Sequence, residues 1–180
     1  MAQRLIGPSA GASDRHRESS IKGGRSEMSD QSYTTAFTVD QTPKEAFAAI
    51  NRVCDWWSGD IQGPTDHLGA EFTYQYEDLH RSRQKITEFI PGQKVTWQVL
   101  DAYLSFVEDK TEWTGTTITF TLSQKGDQTE VRFTHSGLVP ARECFDSCSN
   151  AWSFYINDSL RSLITTGRGA PNEVQEEPQA

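Results

Sequence analysis

The sequence predicts an α+β fold in which one curved antiparallel sheet wraps a single long C-terminal helix. Three observations predict it. Apolar residues at Phe145, Cys148, Trp152, Tyr155, Ile156, Leu160, Leu163 and Ile164 form one wide stripe on a helix running from about Arg142 to Thr165. The long stretch before it reads only as strands, with apolar and polar residues alternating. The connections between most of those strands are short, which favours antiparallel neighbours. A helix with such a stripe must bury it, and the sheet is the one partner large enough.

The first strand carries Tyr33, Thr35, Phe37 and Val39 in alternation. Thr42-Pro43-Lys44-Glu45 then starts a short helix. Thr42 caps, Pro43 suits the first helical position and Glu45 completes a capping box. The helix runs through Phe47, Ile50 and Val53 and is broken by Asp55-Trp56-Trp57-Ser58, after which Gly59 to Gly69 is rich in turns. Phe72, Tyr74 and Tyr76 mark the next strand, and Gln84 to Ile90 another, turned by Pro91-Gly92. Val95, Trp97 and Val99 alternate, and a long connection follows from Asp101 to Gly115. Ile118, Phe120 and Leu122 alternate, Lys125-Gly126-Asp127 turns the chain, and Val131, Phe133 and His135 alternate in the last strand. Gly137 to Pro140 separates that strand from the long helix, and Gly167 suits the helix's C-terminal cap.

A chain of 180 residues holds one domain with a sizeable core. Its boundaries are set at 31–168. Residues 1–30 are read as a disordered or spurious extension. The first 27 hold almost no large apolar side chain, and Met28 stands just before the first strand, as a natural start would. Residues 169–180 are acidic, hold two prolines, and read as a disordered tail.

The net charge of −8 argues against nucleic acid and against an anionic membrane surface. No apolar run approaches a membrane span, and the N-terminus lacks a signal-peptide core, so the expected location is the cytoplasm. Cys54, Cys144 and Cys148 fit free thiols in such a compartment. Cys144 and Cys148 share a helix face, but no further ligand lies nearby in sequence, so they read as small buried apolar residues and no metal is assigned. There is no phosphate-binding Gly loop, no HExxH, no GxSxG and no nucleotide fingerprint, and no cofactor is expected. Asn157-Asp158-Ser159 matches a glycosylation sequon but falls inside the helix and is discounted.

Several segments together resemble a known family. They are Phe37-Thr38-Val39, Pro43-Lys44-Glu45-Ala46-Phe47, the Trp56-Trp57 pair, and Pro91 to Trp97. Thr117 to Phe120 and Thr129 to Leu138 complete the set. It resembles the SRPBCC superfamily, and within it the branch named for homology to the activator of the heat-shock-protein-90 ATPase. The resemblance covers about 31–168 and implies a helix-grip fold, START-like or Bet v-like, with a cavity between sheet and helix. It also implies small apolar ligands for some members, cyclase or dehydratase activity for others, and co-chaperone roles with a link to the stress response for others again. The family carries no universal catalytic motif, so no catalytic residue is assigned.

The candidate pocket-lining residues are Tyr74, Tyr76, Trp97, Phe120, Phe133, His135, Trp152 and Tyr155. The strand residues fall on expected inward faces and the other two on the helix that meets them; aromatic walls with a few polar tips suit apolar ligands, and they equally suit a packed core. His135 shares a strand face with Val131 and Phe133. It would orient a ligand or move a proton, or else be a strand-end histidine with an ordinary partner. Trp56-Trp57 either covers the cavity mouth or staples the short helix to the sheet. The 101–115 connection carries Tyr103, Phe106 and Trp113 among acidic residues, and long loops with aromatics are often functional.

Three functions follow as expectations. The leading one is a non-enzymatic, cytoplasmic START-like domain that binds a small apolar or amphipathic molecule. The second is a chaperone-interacting protein. The third is a cyclase- or dehydratase-like enzyme with His135 as its acid–base residue.

Overall fold

The computed structural model describes residues 31–171. The expected extension over 1–30 and most of the expected tail lie outside that range. The chain forms β1 (Tyr33–Val39), α1 (Pro43–Asn51), a 3₁₀ turn (Val53–Asp55), β2 (Asp60–Gln62), β3 (Glu71–Tyr76), β4 (His80–Ile90), β5 (Lys94–Leu104), β6 (Thr117–Lys125) and β7 (Gln128–Ser136). It ends in α2 (Phe145–Phe154), a π-helical turn (Tyr155–Leu160) and α3 (Arg161–Thr166), which run on as one continuous rod.

The strands make one antiparallel sheet of seven, ordered β1-β7-β6-β5-β4-β3-β2. The fold is the helix-grip α+β architecture. The β4–β5 hairpin carries two register shifts, at Arg83/Gln84 and Ile86/Glu88. Such bulges bend a strand and raise its twist, which curls this end of the sheet around the helix.

The rod buries Trp152, Ile156, Leu160, Leu163 and Ile164 against the sheet. Each contributes about 1.5–3 kcal/mol by leaving water. The facing wall is Val95, Trp97 and Val99 of β5, Ile118 and Phe120 of β6, and Val131 and Phe133 of β7, all buried. The capping box at α1 forms as its residues dictate: Glu45 N–H donates to Thr42 Oγ1 at 3.2 Å, and Thr42 N–H to Glu45 Oε2 at 3.0 Å.

Four elements differ from expectation. The last helix begins at Phe145 and not at Arg142, because 139–145 closes as successive turns, with Arg142 N bonded to Val139 O and Phe145 N to Arg142 O. β4 begins at His80, four residues before Gln84, and β5 runs on to Leu104, so the long connection starts only at Ser105. β2 is an additional edge strand. The domain also holds its chain past 168, since Ala170 N–H donates to Ser159 Oγ at 2.8 Å.

Candidate functional site

All five tryptophans stand in one connected cluster. Trp56 and Trp57 stack on Trp97 at 6.2 and 6.0 Å between ring centroids. Trp57 meets Trp152 at 5.0 Å, and Trp152 stacks on Trp113 at 5.7 Å. The cluster fills the middle of the grip. Beside it a cavity of about 220 Å³ opens at the end of the sheet where β3 turns into β4.

Trp57 and Tyr74 form one wall, stacked nearly parallel at 3.9 Å and 5°. Tyr76, Leu79 and His80 continue that side, Phe106 and Trp113 come from the β5–β6 loop, and Cys148, Trp152 and Tyr155 come from the rod. Leu79 and Phe106 are 42% and 46% exposed, which marks the mouth. The loop is clasped to the rod's start by two bonds: Glu143 N–H donates to Glu112 Oε1 at 3.2 Å, and Glu108 N–H donates to Glu143 Oε2 at 2.8 Å. Leu104 N–H bonds Lys110 O at 2.8 Å, which folds the loop back on itself and holds Phe106 and Trp113 beside the helix.

The polar groups on the wall are few. Tyr74 and Ser58 share a hydroxyl hydrogen bond of 2.9 Å, and burial pushes the Tyr74 phenol well above its ordinary range. Burial also pushes the Tyr155 phenol up. Cys148 is held as a neutral thiol by its hydrogen bond with Cys144 and by burial. His80 sits between Tyr74 and Trp113, at 4.8 and 4.4 Å between ring centroids and nearly perpendicular to the second. Burial depresses its pKa to about 3, so the ring is neutral, and its Nε2 has no hydrogen-bond partner.

Of the eight residues singled out from the sequence, Tyr74, Tyr76, Trp152 and Tyr155 line the cavity. Trp97, Phe120, Phe133 and His135 do not. All four are fully buried: Trp97 stands within the tryptophan cluster, and Trp56 and Trp152 pack against the other three. His135 uses both ring nitrogens within the core. Trp152 Nε1–H donates to Nδ1 at 3.1 Å, so Nδ1 carries no proton, and Nε2–H faces Thr116 Oγ1 at 2.9 Å. Burial depresses its pKa to about 3. A histidine so committed has nothing left for a ligand or for proton transfer.

No sequence signal marks His80, because hydrophobic alternation places the start of its strand at Gln84, four residues later than the strand begins. Trp57, Phe106 and Trp113 had a legible signal, the paired tryptophans and the aromatic-bearing loop, but not a legible direction. Among the described residues no group of three or more His, Cys, Asp or Glu is placed to hold a metal, and no helix is long and apolar enough to cross a membrane.

The family model described as "Activator of Hsp90 ATPase homolog 1-like protein" matches residues 42–165. No curated protein matches the chain. Among solved structures, the Aha1 dimer from Colwellia psychrerythraea is 25% identical and superposes with a TM-score of 0.62, over 77% of this chain and 99% of that one. CalU16 from Micromonospora echinospora is 17% identical, with a TM-score of 0.58 over 82% of this chain and 75% of its own. DynU16, from the dynemicin biosynthetic locus, is 16% identical with a TM-score of 0.58, over 78% of this chain and 49% of its own.

Proposed function

The chain belongs to the Activator of Hsp90 ATPase homolog 1-like family, and from that premise and the walled cavity we infer that it binds a small apolar or amphipathic molecule without turning it over. The observation that carries the reading is the cavity itself. It is walled by Trp57, Tyr74, Trp113, Trp152 and Tyr155, and no charged side chain lines it. Its size fits the role. A cavity of roughly 150 Å³ accepts benzene, so 220 Å³ accepts a one-ring or compact two-ring molecule. It falls below the roughly 300–1,000 Å³ of drug-sized pockets, so a ligand it encloses is smaller than those pockets take. The enzyme reading loses its candidate acid–base residue, since His135 does not reach the cavity.

Native mass spectrometry of the gently purified full chain, before and after solvent extraction, tests the binding reading. A reproducible adduct removed by extraction supports it. A ligand-free protein whose indole NMR signals also stay fixed when compact aromatic compounds are added would overturn it.

A second reading, contact with a chaperone, is favoured by the family description and by the likeness to the Aha1 dimer over that whole chain. It would use an exposed face and not the cavity. A pull-down with an Hsp90-type chaperone, with its ATPase rate as readout, separates the two: neither a complex nor a rate change disposes of the second.

A further inference from the structure

The geometry points to His80 as the polar anchor of the cavity, which makes the ligand a neutral compact aromatic bearing a hydroxyl. The inference rests on the binding reading above and names its ligand class. Three observations lead to it.

The first is hydrogen-bonding capacity. The His80 side chain makes no hydrogen bond with any described residue, its Nε2 is buried without a partner, and the ring lines the cavity. Buried polar groups are almost always paired, and an imidazole that lines a cavity with no partner of its own is best explained by one that comes with a ligand. The contrast with His135, 4.7 Å from the same Trp113 ring and bonded at both nitrogens, shows that this core satisfies a histidine where the role is structural.

The second is charge. No Lys, Arg, Asp or Glu lines the cavity. Glu112, a buried carboxylate, is not on the cavity wall and already accepts from Glu143 N–H. A carboxylate or phosphate ligand would be buried with no cation to pair it, at a large desolvation penalty. Burial also keeps His80 itself uncharged. A hydroxyl suits a neutral imidazole in either tautomer, because it both donates and accepts.

The third is shape. His80 is packed between Tyr74 and Trp113 and cannot swing away. The Trp57–Tyr74 stack beside it presents flat aromatic surface. A flat ligand with one hydroxyl would lie along the rings and place its polar atom at the imidazole.

The test uses three matched probes on the full chain: 2-naphthol, 2-methylnaphthalene and 2-naphthoate, with binding followed by NMR shifts of the indole N–H signals. The inference expects 2-naphthol to bind about tenfold tighter than 2-methylnaphthalene, although the methyl compound is the more hydrophobic. It expects 2-naphthoate to bind least. In His80→Phe, which keeps a ring and removes both nitrogens, the naphthol preference should vanish while 2-methylnaphthalene still binds; in His80→Gln part of it should return. Each preference is a ratio within one protein, so a change in stability does not imitate it. Equal binding of naphthol and methylnaphthalene to the natural protein would overturn the anchor and leave the binding reading standing. So would a naphthol preference that survives in His80→Phe, or tightest binding of the naphthoate. No binding of any probe would overturn both.

Discussion

The indole N–H of Trp152 donates to His135 Nδ1 at 3.1 Å across the centre of the grip. This bond joins the rod to the last strand and fixes the imidazole as its Nε2–H tautomer, whose proton faces the Thr116 hydroxyl. Thr116 in turn donates to the backbone oxygen of Trp113 at 2.5 Å, so the helix, β7 and the pocket loop meet at one hydrogen-bonded chain. Replacing His135 by Phe should cost about 1–3 kcal/mol, because it strands the buried Trp152 donor. The urea midpoint of the variant measures this, and an unchanged midpoint would show that the bond contributes nothing.

Two histidines shape the acid stability, His135 fully buried and His80 partly buried on the cavity wall. Each has its pKa lowered from 6.5 to about 3 in the folded state, by burial above all. In the unfolded chain both return to their ordinary value. Between pH 6.5 and 3 the unfolded state therefore binds protons that the folded state refuses, and stability falls as pH falls. The stability is complete above pH 6.5 and drops by roughly 1.4 kcal/mol per pH unit for each histidine below it. Urea unfolding at pH 7.5, 6.0 and 5.0 should show this slope, and His80→Phe or His135→Phe should each remove about half of it. A flat profile over that range would contradict the neutral state of both rings.

The three thiols should separate by reactivity. Cys54 is exposed, whereas Cys144 and Cys148 are buried. Cys148 is further deactivated, because its hydrogen bond with Cys144 and its burial favour the protonated form. A chromogenic disulfide reagent should label one thiol quickly in the native protein and the other two only after denaturant. Because Cys148 lies on the cavity wall, any slow native labelling there should slow further when the cavity is occupied. Three thiols reacting at one rate would mean that the cavity wall is open to solvent.

The order of elements was legible because most of them obey simple periodicity. The inward residues of β5, β6 and β7 are large and apolar, and the helix stripe is broad. The start of β4 is hidden because its inward positions are Ser82 and Gln84, which are buried yet polar, with Gln84 Nε2–H donating to Ser82 Oγ. Hydrophobic alternation cannot reveal such a strand. His80 was hidden with it, since a residue's face has no meaning until its strand is known. Which of two inward histidines is satisfied depends on partners 19 and 17 residues away, Thr116 and Trp152. Periodicity carries no information at that level. The cavity is equally illegible in outline, because whether an indole lines a space or fills it depends on how the five stack.

The helix terminus and the tryptophan cluster are tied at Ser159. Its hydroxyl donates to the Trp56 carbonyl at 2.7 Å and accepts from Ala170 N–H at 2.8 Å, wholly buried within the π-helical turn. Ser159→Ala leaves both backbone groups without that partner, and should cost about 1–3 kcal/mol. Faster hydrogen exchange at Ala170 should accompany the loss. Full protection there in the variant would mean that the end of the chain is held by something else.

Gly59 and Gly92 allow the pocket's backbone to be tested apart from ordinary turn strain. Both have positive φ, +77° and +71°. A Cβ at Gly92 would meet nothing within 4 Å, whereas at Gly59 it would press on the Gln75 carbonyl and approach the Tyr74 ring at 3.1 Å. Gly92→Ala should therefore show only the left-handed backbone penalty, about 1–2 kcal/mol. Gly59→Ala should cost that and more, because β3 must move away and carry Tyr74 off its stack with Trp57. The near-ultraviolet circular dichroism of the stacked rings should change in Gly59→Ala and stay constant in Gly92→Ala. Binding of 2-naphthol should weaken only in the former, since Gly92 lies at the opposite end of the β4–β5 hairpin from His80 and Leu104. Equal effects of the two substitutions on stability and binding would separate the Trp57–Tyr74 wall from ligand recognition.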